Sequence, residues 1–106
     1  PEYNRSVPGV LKNALDVASR PYGESSWDGK PALVVSTSIS NISGFGANHH
    51  LRQSLVFLNM PTLQQPEVYI ANIQKLFDDN GKLTNAESAK FLNDVLAAFL
   101  AFADKF

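Results

Sequence analysis

Pro1-Glu2-Tyr3-Asn4-Arg5-Ser6-Val7-Pro8-Gly9-Val10-Leu11-Lys12-Asn13-Ala14-Leu15-Asp16 is the most informative run in the sequence. Ser6 is placed to cap a helix, with Pro8 in the first turn, where a missing N–H costs nothing. Val10, Leu11, Ala14, Leu15 and Ala18 recur at helical spacing. Arg20-Pro21-Tyr22-Gly23 ends that helix. The stretch thus divides into a short loop carrying Tyr3 and Asn4, then an amphipathic helix.

Further along, residues Glu24 to Asp28 read as loop, with Trp27 as a candidate anchor. Ala32-Leu33-Val34-Val35 follows Gly29-Lys30-Pro31 and is predicted as a strand over 32–35. A short run apolar on both faces is what a parallel α/β sheet requires. Ser36 to Gly46 is a loop of Ser, Gly and Asn. A helix is predicted over about 47–59, stopped before Pro61. Glu67 to Ala71 is the second strand. The last helix is expected from near Thr84 almost to Phe106. Phe91, Val95, Phe99, Phe102 and Phe106 form one apolar stripe on it, and Leu92, Leu96 and Leu100 the next. So wide an arc fits packing against a sheet, or a subunit contact.

The composition is that of a globular chain, 44% hydrophobic and 18% charged, which argues against disorder. Its 106 residues suffice for one small domain and not for two. A formal net charge of -1 gives no basic field for nucleic acid or a membrane surface. With no cysteine there is no disulfide framework, thiolate nucleophile or Cys-ligated zinc. No segment reads as a secretory signal or as a membrane span, so a cytoplasmic location is expected.

The Pro1-Glu2-Tyr3-Asn4 opening followed by Pro8-Gly9-Val10-Leu11-Lys12-Asn13-Ala14-Leu15-Asp16 resembles the signature of the NAD(P)H-dependent FMN reductase family. That family is flavodoxin-like and includes quinone and chromate reductases. Gly29-Lys30-Pro31, His50-Leu51-Arg52-Gln53 with Leu55-Val56-Phe57-Leu58, Pro66-Glu67 and the late turn at Asp79-Asn80-Gly81-Lys82-Leu83 extend the likeness over nearly the whole chain. The resemblance implies an α/β fold, a flavodoxin-like doubly wound parallel sheet. The chain looks like its C-terminal part, about two strands and three helices, making residues 1–106 part of one domain. The strands would be the fourth and fifth of an order 2-1-3-4-5. A two-stranded sheet leaves an edge bare, so such a chain is expected to fold poorly alone.

Redox chemistry would come from a flavin, since no side chain here carries electron pairs. The resemblance implies FMN and NAD(P)H as cofactors, and a quinone, flavin, azo compound or metal oxyanion as small-molecule acceptor. Ligands of doubly wound sheets sit at the carboxyl ends of the strands, which selects two loops. In the first, Pro1, Glu2, Tyr3 and Asn4 would line the ring. Tyr3 offers an aromatic face, and Asn4 and the backbone N–H groups offer donors. In the second, Ser36 to Gly44, small residues including Ser38 and Gly44 let backbone approach closely. Read without the resemblance, Tyr3 could equally be an ordinary half-buried aromatic. The resemblance also implies self-association as a dimer or tetramer. Leu51, Leu55 and Leu58, with Arg52 on the exposed face of the 47–59 helix, are the contact candidates.

The chain departs from the family where Ser40 and Ser43 replace glycines and Gly46 replaces a basic residue. No Gly-rich loop in residues 1–106 offers a seat for the FMN phosphate. An inert fragment or interaction module is therefore the alternative to an oxidoreductase, and an electron-carrier flavodoxin a third choice. Among other groupings, His49 and His50 are adjacent and point about 100° apart on a helix, so they cannot share a metal. Asp78-Asp79-Asn80-Gly81 with Glu87 has calcium-loop spacing, but Leu76 occupies the first ligand position. A turn leading into a Thr84–Glu87 capping box accounts for it instead.

Overall fold

The computed structural model describes residues 1–106. In chain order the elements are α1 (Gly9–Ala18), β1 (Val35–Thr37), α2 (Phe45–Phe57), β2 (Val68–Ile70), a 3-10 turn at Ile73–Lys75 and α3 (Ala86–Ala103). The two strands pair in parallel, with Val35 opposite Val68, Ser36 opposite Tyr69 and Thr37 opposite Ile70. Helix α2 is the crossover that returns the chain to the start of β2, as parallel pairing demands.

Both strands are shorter than the sequence predicts. The run Ala32–Val34 is buried at Val34, 2% exposed, yet it joins the 61–63 segment through one isolated bridge, Ala32 to Thr62. Its hydrogen bonds go to the Pro61 carbonyl and from the Leu63 N–H. Pro61 and Pro66 flank that neighbouring segment and lack N–H groups, so a continuous ladder starts only at Val35 and Val68.

Ser6 does not cap α1. Pro8 occupies the cap position without a side-chain bond, while Ser6 closes a turn with Tyr3 and its hydroxyl lies 2.6 Å from His50 Nδ1. Helix α2 begins at Phe45, because Gly44, at φ 73°, turns the chain directly into it. The cap of α3 is Asn85, whose side chain accepts the Ser88 N–H at 2.8 Å, one residue after the predicted Thr84. Thr84 instead donates its N–H to the Leu76 carbonyl. Asp78 Oδ1 accepts the Asn80 and Lys82 N–H groups and so shapes the turn that precedes the helix.

The core centres on Leu15, Val34 and Leu55, with Trp27, Ala32, Leu51, Leu58 and Met60 packed around them. Trp27 is the anchor the sequence suggests, its indole N–H donating to the Leu15 carbonyl at 3.0 Å. Leu51, Leu55 and Leu58, expected as subunit contacts, therefore face inward. Arg52 is not on an exposed face either, since its Nε donates to Asn48 Oδ1 and its Nη1 to the Leu63 carbonyl. The outward apolar residues of α2 are Phe45, Val56 and Phe57. Of the α3 stripes only Val95 is buried. No helix is long and apolar enough to cross a membrane.

Candidate functional site

The opening loop is a tight turn. Tyr3 and Ser6 exchange backbone hydrogen bonds of 3.2 and 3.1 Å across Asn4 and Arg5, both at positive φ, 53° and 66°. Positive φ at both central positions is the pattern of a type I′ turn, which asparagine tolerates and arginine adopts at a cost. The turn presents Pro1, Tyr3 and Asn4 to solvent, Tyr3 being 65% exposed. The Asn4 amide makes no hydrogen bond within the chain and is free to donate.

Glu2 points the other way. Its side chain is only 6% exposed and lies 3.2 Å from the Arg5 guanidinium. Its Oε2 accepts the Ala47 N–H at 2.9 Å, in the first turn of α2. The opening loop is thereby tied to the helix that begins right after Gly44.

The second loop leaves β1 at Ser38, whose polar groups are all engaged. Its N–H donates to Ile70 and its carbonyl accepts from Ile73. Its hydroxyl bonds within the loop to Ser40. No hydrogen bond joins Ser38 to the opening loop, which meets the chain at Gly46 and Ala47, in the first turn of α2 just past Gly44. Of the two serines that replace family glycines, Ser43 takes positive φ, 56°, while Ser40 does not. Ser40 instead holds the Ile42 N–H with its hydroxyl. Gly44 is required as glycine, because a Cβ there would lie 2.9 Å from Ser36 Cβ.

A buried polar chain holds this loop from below. Ser36 donates its hydroxyl to the Ser43 carbonyl at 2.9 Å. Asn48, 1% exposed, donates to Ser36 Oγ and to the Val68 carbonyl, and accepts from Arg52. Five segments thus share one network: β1, the 36–44 loop, α2, β2 and the 58–66 connection. Sequence reasoning missed Asn48. The available signal was its i,i+4 spacing from Arg52 on the same helix face as Leu55.

Beside it, Tyr69 donates to Glu67 at 2.8 Å, and His49 Nε2 lies 2.7 Å from the Tyr69 hydroxyl. Phe45 packs on both rings, 4.3 Å from His49 and 5.2 Å from Tyr69 between centroids. Burial, then the hydrogen bond and charge of Glu67, push the Tyr69 phenol above its ordinary value, against a smaller opposing effect of Arg52. His49 and His50 thus engage different partners, Tyr69 and Ser6.

Tyr3 leaves an aromatic face, and Asn4 an amide, open to solvent. The Thr37 hydroxyl, on the last residue of β1, is buried with no partner in the chain. The roomiest concavity, about 330 Å³ between Arg20, Tyr22, Asp28 and Phe57, includes no residue of either loop.

Parallel strands, a crossover helix and two loops converging at the start of that helix define a flavodoxin-like α/β protein. The model of the NADPH-dependent FMN reductase family matches residues 1–75, and the chain belongs to that family. It is 61% identical to a quinone reductase of Pseudomonas putida, over all of this chain and 53% of that protein. To a 2-hydroxy-1,4-benzoquinone reductase of a Burkholderia species it is 43% identical, over 96% of this chain and 56% of the relative. Among solved structures it superposes on FerB, a flavoenzyme NAD(P)H:(acceptor) oxidoreductase from Paracoccus denitrificans, with a TM-score of 0.90 and 41% identity. That match covers 99% of this chain and 58% of FerB. The chain spans about half the length of the curated relatives it matches.

Proposed function

We propose that residues 1–106 are the C-terminal part of one flavodoxin-like domain whose protein is an FMN-dependent NAD(P)H oxidoreductase acting on quinones. The observation that carries this reading is the tie between Glu2 and Ala47, which joins the opening loop to the first turn of α2, directly after the second loop, within a chain of the FMN reductase family. FMN, when bound, supplies the hydride chemistry between a nicotinamide and the acceptor. The chain's own residues bind and orient. Tyr3 gives the ring an aromatic face, Asn4 donates to its polar edge, and Pro1 shapes the approach. Glu2 and Ser38 act by holding the two loops, and Gly44 lets the second loop close on β1. The names of the relatives favour quinones over azo compounds or metal oxyanions as acceptors. The same reading carries a cytoplasmic location and self-association, with Val56 and Phe57, 79% and 71% exposed, as contact residues in place of the inward leucines.

The test is a visible spectrum of the purified protein with FMN, followed by NAD(P)H oxidation with a benzoquinone. Bound flavin and quinone-dependent turnover are expected. Tyr3→Ala should weaken flavin binding by up to about tenfold, the equivalent of 0.5–1.5 kcal/mol of aromatic contact. Absence of flavin binding would instead favour an interaction module.

A further inference from the structure

Glu2 combines three properties that an ordinary loop carboxylate lacks. Its side chain is 6% exposed although it stands second in the chain. It accepts the N–H of Ala47, a residue 45 positions away. And the glycine beside that N–H has no room for a side chain, because a Cβ on Gly46 would lie 2.8 Å from Glu2 Oε2 and 2.8 Å from the Arg5 carbonyl. Such distances are not found between real Cβ atoms and their neighbours, and the carbonyl is backbone that cannot swing aside.

The physical logic is that of a helix end short of an acceptor. The cap residue of α2 is Gly44, which has no side chain to satisfy the first N–H groups. A carboxylate from elsewhere in the chain meets one of them, favoured by the positive end of the helix dipole. Arg5 supplies a cation on the other carboxylate oxygen at 3.2 Å, and itself sits in the turn that presents Tyr3 and Asn4. One side chain therefore fixes the opening loop to the first turn of α2, the helix that the Gly44 loop leads into.

We propose that Glu2 is a positioning residue: its carboxylate, docked on the Ala47 N–H in the space left by Gly46, sets the placement of Tyr3 and Asn4 relative to the Gly44 loop. This rests on the flavin reading for its consequence, while the latch itself can be measured without flavin.

The experiment compares the FMN-binding protein with its Glu2→Ala, Glu2→Gln and Gly46→Ala variants. FMN affinity is read by flavin fluorescence, and exchange of the Ala47 amide is read without ligand. Glu2→Ala should weaken FMN about tenfold and speed Ala47 exchange, since a charge-assisted bond and its docking are both lost. Glu2→Gln keeps an acceptor for the N–H and should lose only about threefold. Gly46→Ala should match Glu2→Ala, and should cost less in the Glu2→Ala background than alone, because one of its two clashes has gone. The bound flavin's absorption band should shift in the variants at FMN saturation, which a general loss of stability would not cause. Variant affinities within about twofold of the parent would overturn the positioning role while leaving the flavin reading intact. If the parent binds no FMN, the functional reading fails instead. In that case unchanged Ala47 exchange in Glu2→Ala overturns the latch, and faster exchange upholds it.

Discussion

The junction of α2 with the sheet and the long helix α3 are both apolar in sequence, yet they are completed differently. At the junction Val68 and Asn48 are 0% and 1% exposed, and the buried polar groups of Ser36, Asn48 and Ser43 are bonded to one another. On α3 only Val95 reaches that degree of burial, while Leu96 and Leu100 are 53% and 63% exposed, and Phe106, just past the end of the helix, is 66% exposed. Burial and satisfied polar contacts are what stabilise a fold, and hydrophobic composition alone is not. The junction is covered within these residues, with only the Thr37 hydroxyl and Arg52 Nη2 left without a partner, and α3 has apolar surface for which the chain supplies no cover.

The largest effect expected from this contrast is at Asn48. Asn48→Ala should destabilise the protein by about 2–4 kcal/mol, because it leaves the part-buried Arg52 Nε–H without its acceptor and takes a donor from Ser36 Oγ and the Val68 carbonyl. Chemical denaturation checks this. A loss no larger than that of an exposed substitution would show that the network is incidental to the junction.

Next come paired truncations on α3. Val95→Ala should cost about 1.5–3 kcal/mol, by loss of buried methyl groups and the gap they leave. Leu100→Ala should cost under about 0.5 kcal/mol, as a change at a surface position does. An isolated 1–106 polypeptide should self-associate through this surface, and Leu96→Gln with Leu100→Gln should reduce its light scattering. Equal costs at Val95 and Leu100, or a monodisperse 1–106 polypeptide with a sharp cooperative melt, would erase the contrast.

The same difference explains what could be read from the sequence. The order of helices and strands was legible, because period and punctuation set it: Arg20-Pro21 stops α1, Pro61 follows α2, and two apolar runs flank it. The exact caps were not. Ser6, Asn85 and Thr84 are all competent capping residues, and tertiary partners decide among them: His50 draws Ser6 away, and the Leu76 carbonyl engages Thr84. The two candidate loops were legible as loops, the first through the opening tetrapeptide and the second through its run of Ser, Asn and Gly after the first strand. The inward turn of Glu2 was not, because its partner is a backbone N–H with no signature in residue type. Arg52 reads as exposed because it is charged, yet its acceptors, Asn48 and the Leu63 carbonyl, meet it only once the chain has folded.

The smallest effect belongs to the rim of the junction, at Tyr69. Its phenol is raised first by burial and then by Glu67. A raised value means the folded state holds the proton more tightly than the unfolded chain. The stabilisation is therefore fully present below the ordinary tyrosine value of about 10 and is lost as pH rises through the raised value. Phenolate absorbance, taken as the difference between the parent and Tyr69→Phe, isolates this group from Tyr3 and Tyr22. In Glu67→Gln the midpoint should move back toward the ordinary value but stop short of it, because the charge is gone while the burial by Phe45 and His49 remains. A complete return would make Glu67 the sole cause, and no movement would make burial the sole cause. Either result would break the account in which the hydrogen bond to Glu67 and the aromatic packing act together at this edge.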